Sequence, residues 1–311
     1  MKILLYIVLI CILLGLSYFI FDYIRYYNLS KTVKDTYAIS NSDKNIIVPS
    51  NDIKYYVINL PKDNDRLNTL IPQLEREKIN YEIVEAINGK TYDREYIDKW
   101  PCLKKDEKYM GIKGLQLSNL KIFKKYENIP YECLPEWIGI MEDDCEIPKN
   151  FNLVVDYIIN KYPKVKVINL DDRGKCNENS YSRATTSLML YHKSVIRYLI
   201  KELDYTRSIH MNSGKHKDKH CLFDWYLFRI LKEEKIPMVG VPIIKSGKFF
   251  SNIDTSDTSI INSLPKSNIF YISAVFFISF ILILLFLVYI RLRKTKVELN
   301  SCRSSSRSFS G

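Results

Sequence analysis

Three consecutive acidic residues, Glu142, Asp143 and Asp144, follow an apolar segment of the chain. Residues 137–141 have the pattern of a short buried strand, and Pro148 prevents that strand from continuing. Ligands of open α/β sheets bind just beyond the carboxyl ends of strands. Three carboxylates there repel one another unless a cation lies among them, and Mg²⁺ and Mn²⁺ accept carboxylate oxygens together with substrate phosphates. The triplet therefore indicates a metal site that could hold a nucleotide diphosphate; the alternative is a solvated acidic turn.

The segments around this triplet alternate between strand and helix patterns. Residues 54–60 and 81–86 have strand patterns, and residues 63–78 between them carry Leu and Ile at helical spacing. A strand–helix–strand order of this kind opens a parallel α/β sheet. Further helices are predicted at residues 111–126, 151–162, 193–203 and 223–232, and further strands at residues 165–170, 186–191 and 237–244.

Two long apolar segments bracket this α/β region. Residues 3–21 are apolar throughout, and residues 269–290 carry no charge and would form a helix of about 33 Å, enough to cross a bilayer. The Arg and Lys residues after position 290 predict a cytoplasmic C-terminus and a central region in the lumen of the secretory pathway. The predicted organisation is a signal-anchor (1–24), a polar stalk (25–51), a central domain (52–262), a second membrane helix (269–290) and a basic cytoplasmic tail (291–311).

The positive charge of the chain does not indicate a nucleic-acid partner. The formal net charge is +11, but the tail over residues 291–311 alone carries six Lys or Arg and one Glu. The remaining excess is spread thinly along the chain, whereas nucleic-acid binding proteins concentrate basic residues on one face. No nucleic-acid partner is therefore expected, whereas the two apolar segments predict contact with a membrane.

Several segments, in order, resemble glycosyltransferase family 25, which includes lipopolysaccharide-type sugar transferases and procollagen galactosyltransferases. The first two are YVINLPKDNDR at residues 56–66 and EAING at residues 85–89. GIKGLQLSNL at residues 111–120 is similar to the family's Gly-x-x-Gly-Cys-x-x-Ser-His segment, and Glu142 to Asp144 are similar to its acidic metal motif. The remaining matches are SLMLY at 187–191, FDWYL at 223–227 and FFSNI at 249–253.

This resemblance implies a GT-A-like, Rossmann-type nucleotide-sugar transferase domain, here flanked by two transmembrane helices. It also implies a UDP-hexose donor, Mn²⁺ or Mg²⁺ as cofactor, and inverting transfer of galactose or glucose to a protein acceptor, such as collagen-like hydroxylysine, or to a glycan acceptor. Ser118 and Asn119 match the family's Ser-His pair and are expected to contact the donor. Asn119 keeps the hydrogen bonding of the family's His but cannot carry its charge.

Elementary chemistry assigns roles that agree with the resemblance. Asp144, with Glu142 or Asp143, would hold the cation against the diphosphate and neutralise the charge that develops on departing UDP. Arg66 is a candidate for a bidentate phosphate contact, with a solvent-facing helix arginine as the alternative.

Two further residues complete the predicted site. Asn59, at the end of the first strand, would meet the nucleotide base or ribose, or else only cap the turn. Asp224 is the candidate base that deprotonates the acceptor hydroxyl, with a plain N-cap aspartate as the alternative. Asp171 and Asp172 form a rival acidic pair at another strand end, for which simple strand-end placement is the preferred interpretation.

Two other interpretations remain open at this point. One keeps the fold without catalysis, as an adhesion or scaffold membrane protein, and the replacement of the family's His by Asn119 is consistent with it; a membrane structural protein without a ligand is a further variant. The other concerns His210, His216, His220 and Cys221, which could bind zinc but are better explained as part of a solvated basic loop near the donor phosphates.

Overall fold

The computed structural model describes residues 2–42, 52–93, 95–96, 110–171, 186–212 and 223–246, together with Val288. The chain divides into two compact units, one formed by Met1–Arg25 with Pro265–Gly311 and the other by Tyr26–Leu264. None of the helices in these described ranges is both long enough and apolar enough to span a bilayer. The second predicted membrane segment, 269–290, lies outside the described residues except for Val288.

The strands and helices follow the predicted order closely. The strands are β1 (Ile53–Asn59), β2 (Tyr81–Glu85), β3 (Trp137–Glu142), β4 (Cys145–Glu146), β5 (Val167–Asn169), β6 (Leu188–His192), β7 (Met238–Gly240) and β8 (Lys245–Ser246). The helices are α1 (Lys2–Ser40), α2 (Asn64–Arg76), α3 (Met110–Lys124), α4 (Phe151–Lys161), α5 (Lys193–Leu203), α6 (Ile209–Asn212) and α7 (Phe223–Glu233), with short 3-10 turns at Pro61–Asp63 and Tyr131–Cys133.

The central element is a mixed six-stranded sheet with the strand order β2–β1–β3–β6–β5–β7. Strand β6 runs antiparallel to both of its neighbours, β3 and β5, and the other pairs are parallel. The expectation of a parallel sheet was therefore wrong for one strand. The apolar pattern of residues 186–191 indicates a strand buried on both faces, but burial on both faces does not specify the direction of the strand.

Helices cover both faces of the sheet, so the central strands are buried on both sides. Along β1, Tyr56 and Ile58 belong to a core cluster that contains residues of α3, α5 and α7. The alternate residues Tyr55 and Val57 belong to a second cluster, formed with α2, α4 and Val33 of α1. Successive residues of β1 face opposite sides of the sheet, and both sides are buried. The sequence of β1 is therefore a continuous apolar run instead of an alternation of apolar and polar residues.

The end of α1 packs on the domain where the sequence predicted a polar stalk over residues 25–51. Val33 is 2% exposed and belongs to the core, and the hydroxyl of Tyr157 donates to Asp35 Oδ2 at 2.6 Å. The side-chain amide of Asn150 donates to three carbonyl oxygens at the end of α1 and in the following turn, at 3.1, 3.4 and 2.8 Å. The residues up to Ser40 are therefore helical and partly buried, because apolar and small residues recur at helical spacing within the polar composition.

The first turns of α3 lie directly against the loop that follows β2. A Cβ atom added at Gly114 would lie 2.3 Å from the carbonyl oxygen of Ile87 and 2.8 Å from the nitrogen of Gly89. A Cβ atom at Gly111, one turn earlier, would meet nothing within 4 Å. Gly114 therefore permits the close contact between helix and loop, whereas Gly111 does not take part in it.

We expect Gly114→Ala to lower the free energy of unfolding by about 1–3 kcal/mol, because the backbone must move to accept the methyl group. Gly111→Ala is the matched control, and it should leave stability unchanged or raise it by up to about 1 kcal/mol, since Ala favours helix over Gly. Denaturant unfolding of both full-length variants measures the difference. Equal effects of the two substitutions would contradict the close contact.

Candidate active site

The site lies at one edge of the sheet, where acidic residues from different strands meet. The parallel strands β1, β2, β3, β5 and β7 end at this edge, and the antiparallel strand β6 begins there. Glu142, the last residue of β3, is paired in register with Ile58 of β1, and its backbone nitrogen donates to the carbonyl oxygen of Ser187, just before β6. This is the edge at which ligands bind in related sheet architectures.

Five carboxyl groups form what we call the acidic cluster. The pKa of Glu142 is raised to about 8, first by burial and then by neighbouring negative charges, which belong to Asp144, Asp224, Asp171 and Asp143. Carboxylates influence one another in this way only at short range, so the four aspartates all lie near Glu142. The sequence assigned three of these residues to one site and placed Asp224 beside it as the base, and the structure brings the four together.

Asp171 is the member of the acidic cluster that sequence reasoning assigned to plain strand-end placement. It is 1% exposed, follows β5, and its backbone nitrogen donates to the side-chain oxygen of Asn169 at 2.9 Å. The signal in the sequence was that an acidic residue ends β3 and another lies two residues after β5, and a shared sheet edge brings the two close together. Its sequence neighbour Asp172 lies outside the described residues.

Arg66 lies beside the acidic cluster and forms an ion pair with it. Its guanidinium Nη1 donates to Asp143 Oδ1 at 3.2 Å, while about half of the Arg66 side chain is exposed and the Asp143 side chain is nearly buried. Burial raises the pKa of Asp143, and the hydrogen bond and charge of Arg66 oppose that increase. The pair leaves the outer side of Arg66 open to solvent, where a second anion can reach it.

Two neighbouring cavities open at the same edge. The smaller one, of about 220 Å³, is lined by Arg66, Ser118, Glu142 and Asp143 together with residues of the loops after β1 and β2. The larger one, of about 520 Å³, is lined by polar residues including Lys62 and Lys121. Both cavities share a wall, which consists of Leu60, Ala86, Ile87 and Asn88.

Ser118 lines only the smaller cavity and has a defined structural role next to the shared wall. Its hydroxyl is fully buried, accepts a hydrogen bond from the backbone nitrogen of Ile87 at 2.8 Å and donates one to the carbonyl of Gly114 at 2.7 Å. The hydroxyl hydrogen is thereby committed to Gly114. Ser118 lines the smaller cavity, but its side chain holds the loop against α3.

Asn59 and Asn119 do not line either cavity. Asn119 is 3% exposed and its side-chain amide donates to the carbonyl of Leu115 at 3.0 Å, one turn earlier in α3. Asn59 is 5% exposed, and its side-chain oxygen is buried without a hydrogen-bond partner among the described residues. The alternation along β1 places Asn59 on the face opposite Ile58, which does line the smaller cavity.

The acidic cluster leaves one carboxylate oxygen unsatisfied. Asp144 Oδ1 is buried and has no hydrogen-bond partner among the described residues. Within the same residues, no group of three or more His, Cys, Asp or Glu side chains has the arrangement of a complete metal site. One or two carboxylates are nevertheless enough for Mg²⁺ when substrate phosphates supply the other oxygens, so the donor set fits such a cation.

Asp224 lies in the first turn of α7. Its Oδ1 accepts a hydrogen bond from the hydroxyl of Thr186 at 2.9 Å, and its charge contributes to the raised pKa values of Glu142 and Tyr191. Asp224 is the second residue of α7, and its charge is coupled to the acidic cluster.

Of the predicted alternative zinc ligands, the structure describes only His210. His210 Nδ1 lies 2.8 Å from Glu233 Oε2, which ties α6 to α7. His216, His220 and Cys221 lie outside the described residues.

We expect the acidic cluster to make stability depend on pH. In the unfolded chain Glu142 has its ordinary pKa of 4.5, whereas in the folded protein its pKa is about 8. Between these values the folded state binds the extra proton, so the free energy of unfolding falls as pH rises, by up to about 1.4 kcal/mol per pH unit. In metal-free buffer Glu142→Gln should remove this fall and make the protein more stable than wild type at pH 8.

The exposed residue Glu146 provides the matched control. Glu146→Gln should leave the fall in stability between pH 5 and 8 as it is in wild type, and chemical unfolding at several pH values measures it. If Glu142→Gln and wild type lose stability in parallel over this range, Glu142 does not carry the proposed charge repulsion.

The comparison with protein-family models confirms the resemblance. The family model described as glycosyltransferase family 25 (LPS biosynthesis protein) matches residues 52–217. None of the curated proteins compared with the chain matches its sequence. Among solved structures, the apo crystal structure of mouse xyloside xylosyltransferase 1 aligns with a TM-score of 0.39 and 8% identity, over 67% of this chain and 79% of that chain. Because the family match spans more than half of the chain, the protein belongs to glycosyltransferase family 25.

Proposed function

We propose that this glycosyltransferase moves a hexose, galactose or glucose, from a UDP-sugar to a hydroxyl of a protein or glycan acceptor, with a divalent cation and inversion at the anomeric carbon. One observation carries the proposal: a single small cavity at the strand edge is lined by the carboxylates of Glu142 and Asp143 and by the guanidinium of Arg66. A site that offers both signs of charge suits a cation–diphosphate pair, in which each part needs an opposite charge.

In this proposal each of the two cavities binds one part of the donor. The diphosphate fits the smaller cavity, where the open side of Arg66 can donate to phosphate oxygens. The larger cavity shares a wall with the smaller one and is of a size typical for small-molecule sites, so it can accept the nucleoside. In this proposal the sugar of the donor lies near the acidic cluster.

Asp144 and Glu142 are the residues that would hold Mn²⁺ or Mg²⁺. A bound cation would give the buried oxygen of Asp144 a partner. It would also reduce the repulsion between carboxylates that contributes to the raised pKa of Glu142. When bound, the cation neutralises the negative charge that develops on departing UDP.

Asp224 is the base in this proposal. The acceptor oxygen forms a bond to the anomeric carbon, the bond from that carbon to the diphosphate oxygen breaks with its electron pair, and the acceptor proton passes to the Asp224 carboxylate. The hydrogen bond from Thr186 fixes the orientation of this carboxylate. A single displacement of this kind inverts the anomeric configuration.

The non-catalytic scaffold alternative gains no support from the site. It was raised by Asn119, which stands where the family has His, but Asn119 is bonded within α3 and does not line either cavity.

Membrane attachment and a lumenal domain remain part of the proposal. Exposed apolar side chains on the first half of α1, among them Leu14, Tyr18 and Phe21, support attachment.

We expect Asp144→Ala to abolish release of sugar and UDP from UDP-galactose or UDP-glucose in the presence of Mn²⁺, because the cation loses its buried ligand. In the same protein, the increase in Tm that Mn²⁺ plus UDP produces in wild type should disappear. Asp65→Ala is the control, since Asp65 is an exposed aspartate in the first turn of α2. Turnover by Asp144→Ala at the rate of Asp65→Ala would contradict the assignment.

Arg66→Gln should weaken UDP binding by about 10- to 100-fold, the size of a lost charge-assisted hydrogen bond of about 1.5–3 kcal/mol. Calorimetric titration of the full-length protein with UDP in the presence of Mn²⁺ measures the change. The control Arg197→Gln removes an exposed arginine from α5 and should bind UDP as wild type does. Equal affinities of the two variants would exclude Arg66 from the phosphate site.

A further inference from the structure

Asp143 is bonded differently from the acidic residues on either side of it. Its Oδ1 accepts a hydrogen bond from Nη1 of Arg66 at 3.2 Å, and only 8% of its side chain is exposed. Asp144 Oδ1, by contrast, is buried and has no hydrogen-bond partner among the described residues. After burial, which is the main cause of the raised pKa of Glu142, Asp144 contributes most and Asp143 least of the four neighbouring charges. The charge of Asp143 therefore acts mainly on Arg66, and that of Asp144 mainly on Glu142.

Arg66 uses only part of its hydrogen-bonding capacity on Asp143. A guanidinium has five N–H donors, and those of Arg66 that do not bond Asp143 have no acceptor among the residues that the structure describes. About half of the Arg66 side chain is exposed, and both residues line the smaller cavity. An anion that enters this cavity therefore meets the available donors of Arg66 and the carboxylate of Asp143 together.

A diphosphate in the smaller cavity would compete with Asp143 for the guanidinium of Arg66. Arginine binds phosphate oxygens with two parallel N–H donors, and a diphosphate offers more negative charge than one carboxylate. Asp143 would also repel the diphosphate, since like charges destabilise each other at short range. A cation held by Asp144 and Glu142 would reduce this repulsion, because its charge offsets those of both anions.

We propose that Asp143 is the resting partner of Arg66, that the two separate when a diphosphate binds to Arg66, and that Asp143 thereby opposes diphosphate binding when no divalent cation is present. The inference rests on the proposed function and gives Asp143 a positioning role instead of a place among the ligands of the cation. Binding of the cation and binding of the diphosphate then favour each other.

A purely structural ion pair is the alternative for Arg66 and Asp143. An ion pair with a half-exposed member contributes little to stability. Helix α2 is also attached to the segment after the acidic triplet by other contacts, since Gln73 and Arg76 both bond the backbone of Ile147. The ion pair is therefore not needed to hold α2 beside the triplet, and its position in the wall of a cavity favours a role in binding.

The test compares wild type with four full-length variants: Asp143→Asn, Arg66→Gln, the double variant that carries both substitutions, and Asp65→Asn. Asp65→Asn is the matched control, because Asp65 is an exposed aspartate that directly precedes Arg66 in the chain. Calorimetry measures the binding of inorganic pyrophosphate in EDTA and of UDP in EDTA or with Mn²⁺. Binding of Mn²⁺ alone is measured from the electron paramagnetic resonance signal of the unbound ion.

In EDTA, Asp143→Asn should bind pyrophosphate and UDP about tenfold more tightly than wild type, because Arg66 loses its competing partner. Asp65→Asn should bind as wild type does. Adding Asp143→Asn to Arg66→Gln should change the affinity by less than about threefold, since the effect acts through Arg66. Mn²⁺ should increase the affinity for UDP less in Asp143→Asn than in wild type, and Mn²⁺ alone should bind both proteins within about threefold. Partial unfolding of a variant would weaken binding and would not strengthen it.

The inference is overturned if Asp143→Asn binds pyrophosphate in EDTA no more tightly than wild type, or if neither protein binds it. It is also overturned if Asp143→Asn binds Mn²⁺ alone at least tenfold more weakly than wild type, because Asp143 is then a ligand of the cation. Absence of sugar transfer from any UDP-sugar by wild type would refute the proposed function separately, since the pyrophosphate affinities still decide the roles of Arg66 and Asp143.

Discussion

Repulsion among carboxylates at one edge of the sheet is the constraint on which the rest of the site depends. The chain gathers five acidic residues there, and the pKa of Glu142 is raised first by burial and then by the charges of the other four. Hydrogen bonds and ion pairs offset part of this repulsion, notably that of Arg66 with Asp143 and that of Thr186 with Asp224. Residual repulsion of this kind is retained at functional sites, where a ligand of opposite charge relieves it.

The segment that follows the acidic triplet is held by α2 through side-chain contacts. Ile147 is fixed at both backbone groups, since its nitrogen donates to Gln73 at 2.7 Å and its carbonyl accepts from Arg76 at 3.0 Å. Four residues later, the nitrogen of Phe151 donates to Glu77 at 3.0 Å. The same helix carries Arg66 at its other end, so α2 organises both the ion pair and the backbone behind it. This explains how like charges can be kept close without displacing the chain.

Sequence reasoning located the elements well because the patterns are strong and local. The apolar run before Glu142 is the strand β3, and the helical spacing of Leu67, Leu70 and Leu74 is the buried side of α2. Non-local facts were not accessible in the same way. The reversed direction of β6, the contribution of Asp171 and the inward-facing amide of Asn119 depend on which strands become neighbours and on which face a residue falls. Composition misled over residues 25–40, since polar residues concealed a helical spacing of buried positions there.

The capping of α1 by Asn150 has a practical consequence for soluble fragments of this enzyme. The backbone of Asn150 is left-handed, with φ of 56°, a conformation that Asn tolerates better than most residues, and this directs its amide to the last carbonyl oxygens of α1. A fragment that begins at residue 52, where the polar segment ends, would leave that amide unbonded and would expose the apolar surface covered by Val33. Fragments intended for crystallisation should therefore begin upstream of Tyr26, so that the final turns of α1 remain attached to α4.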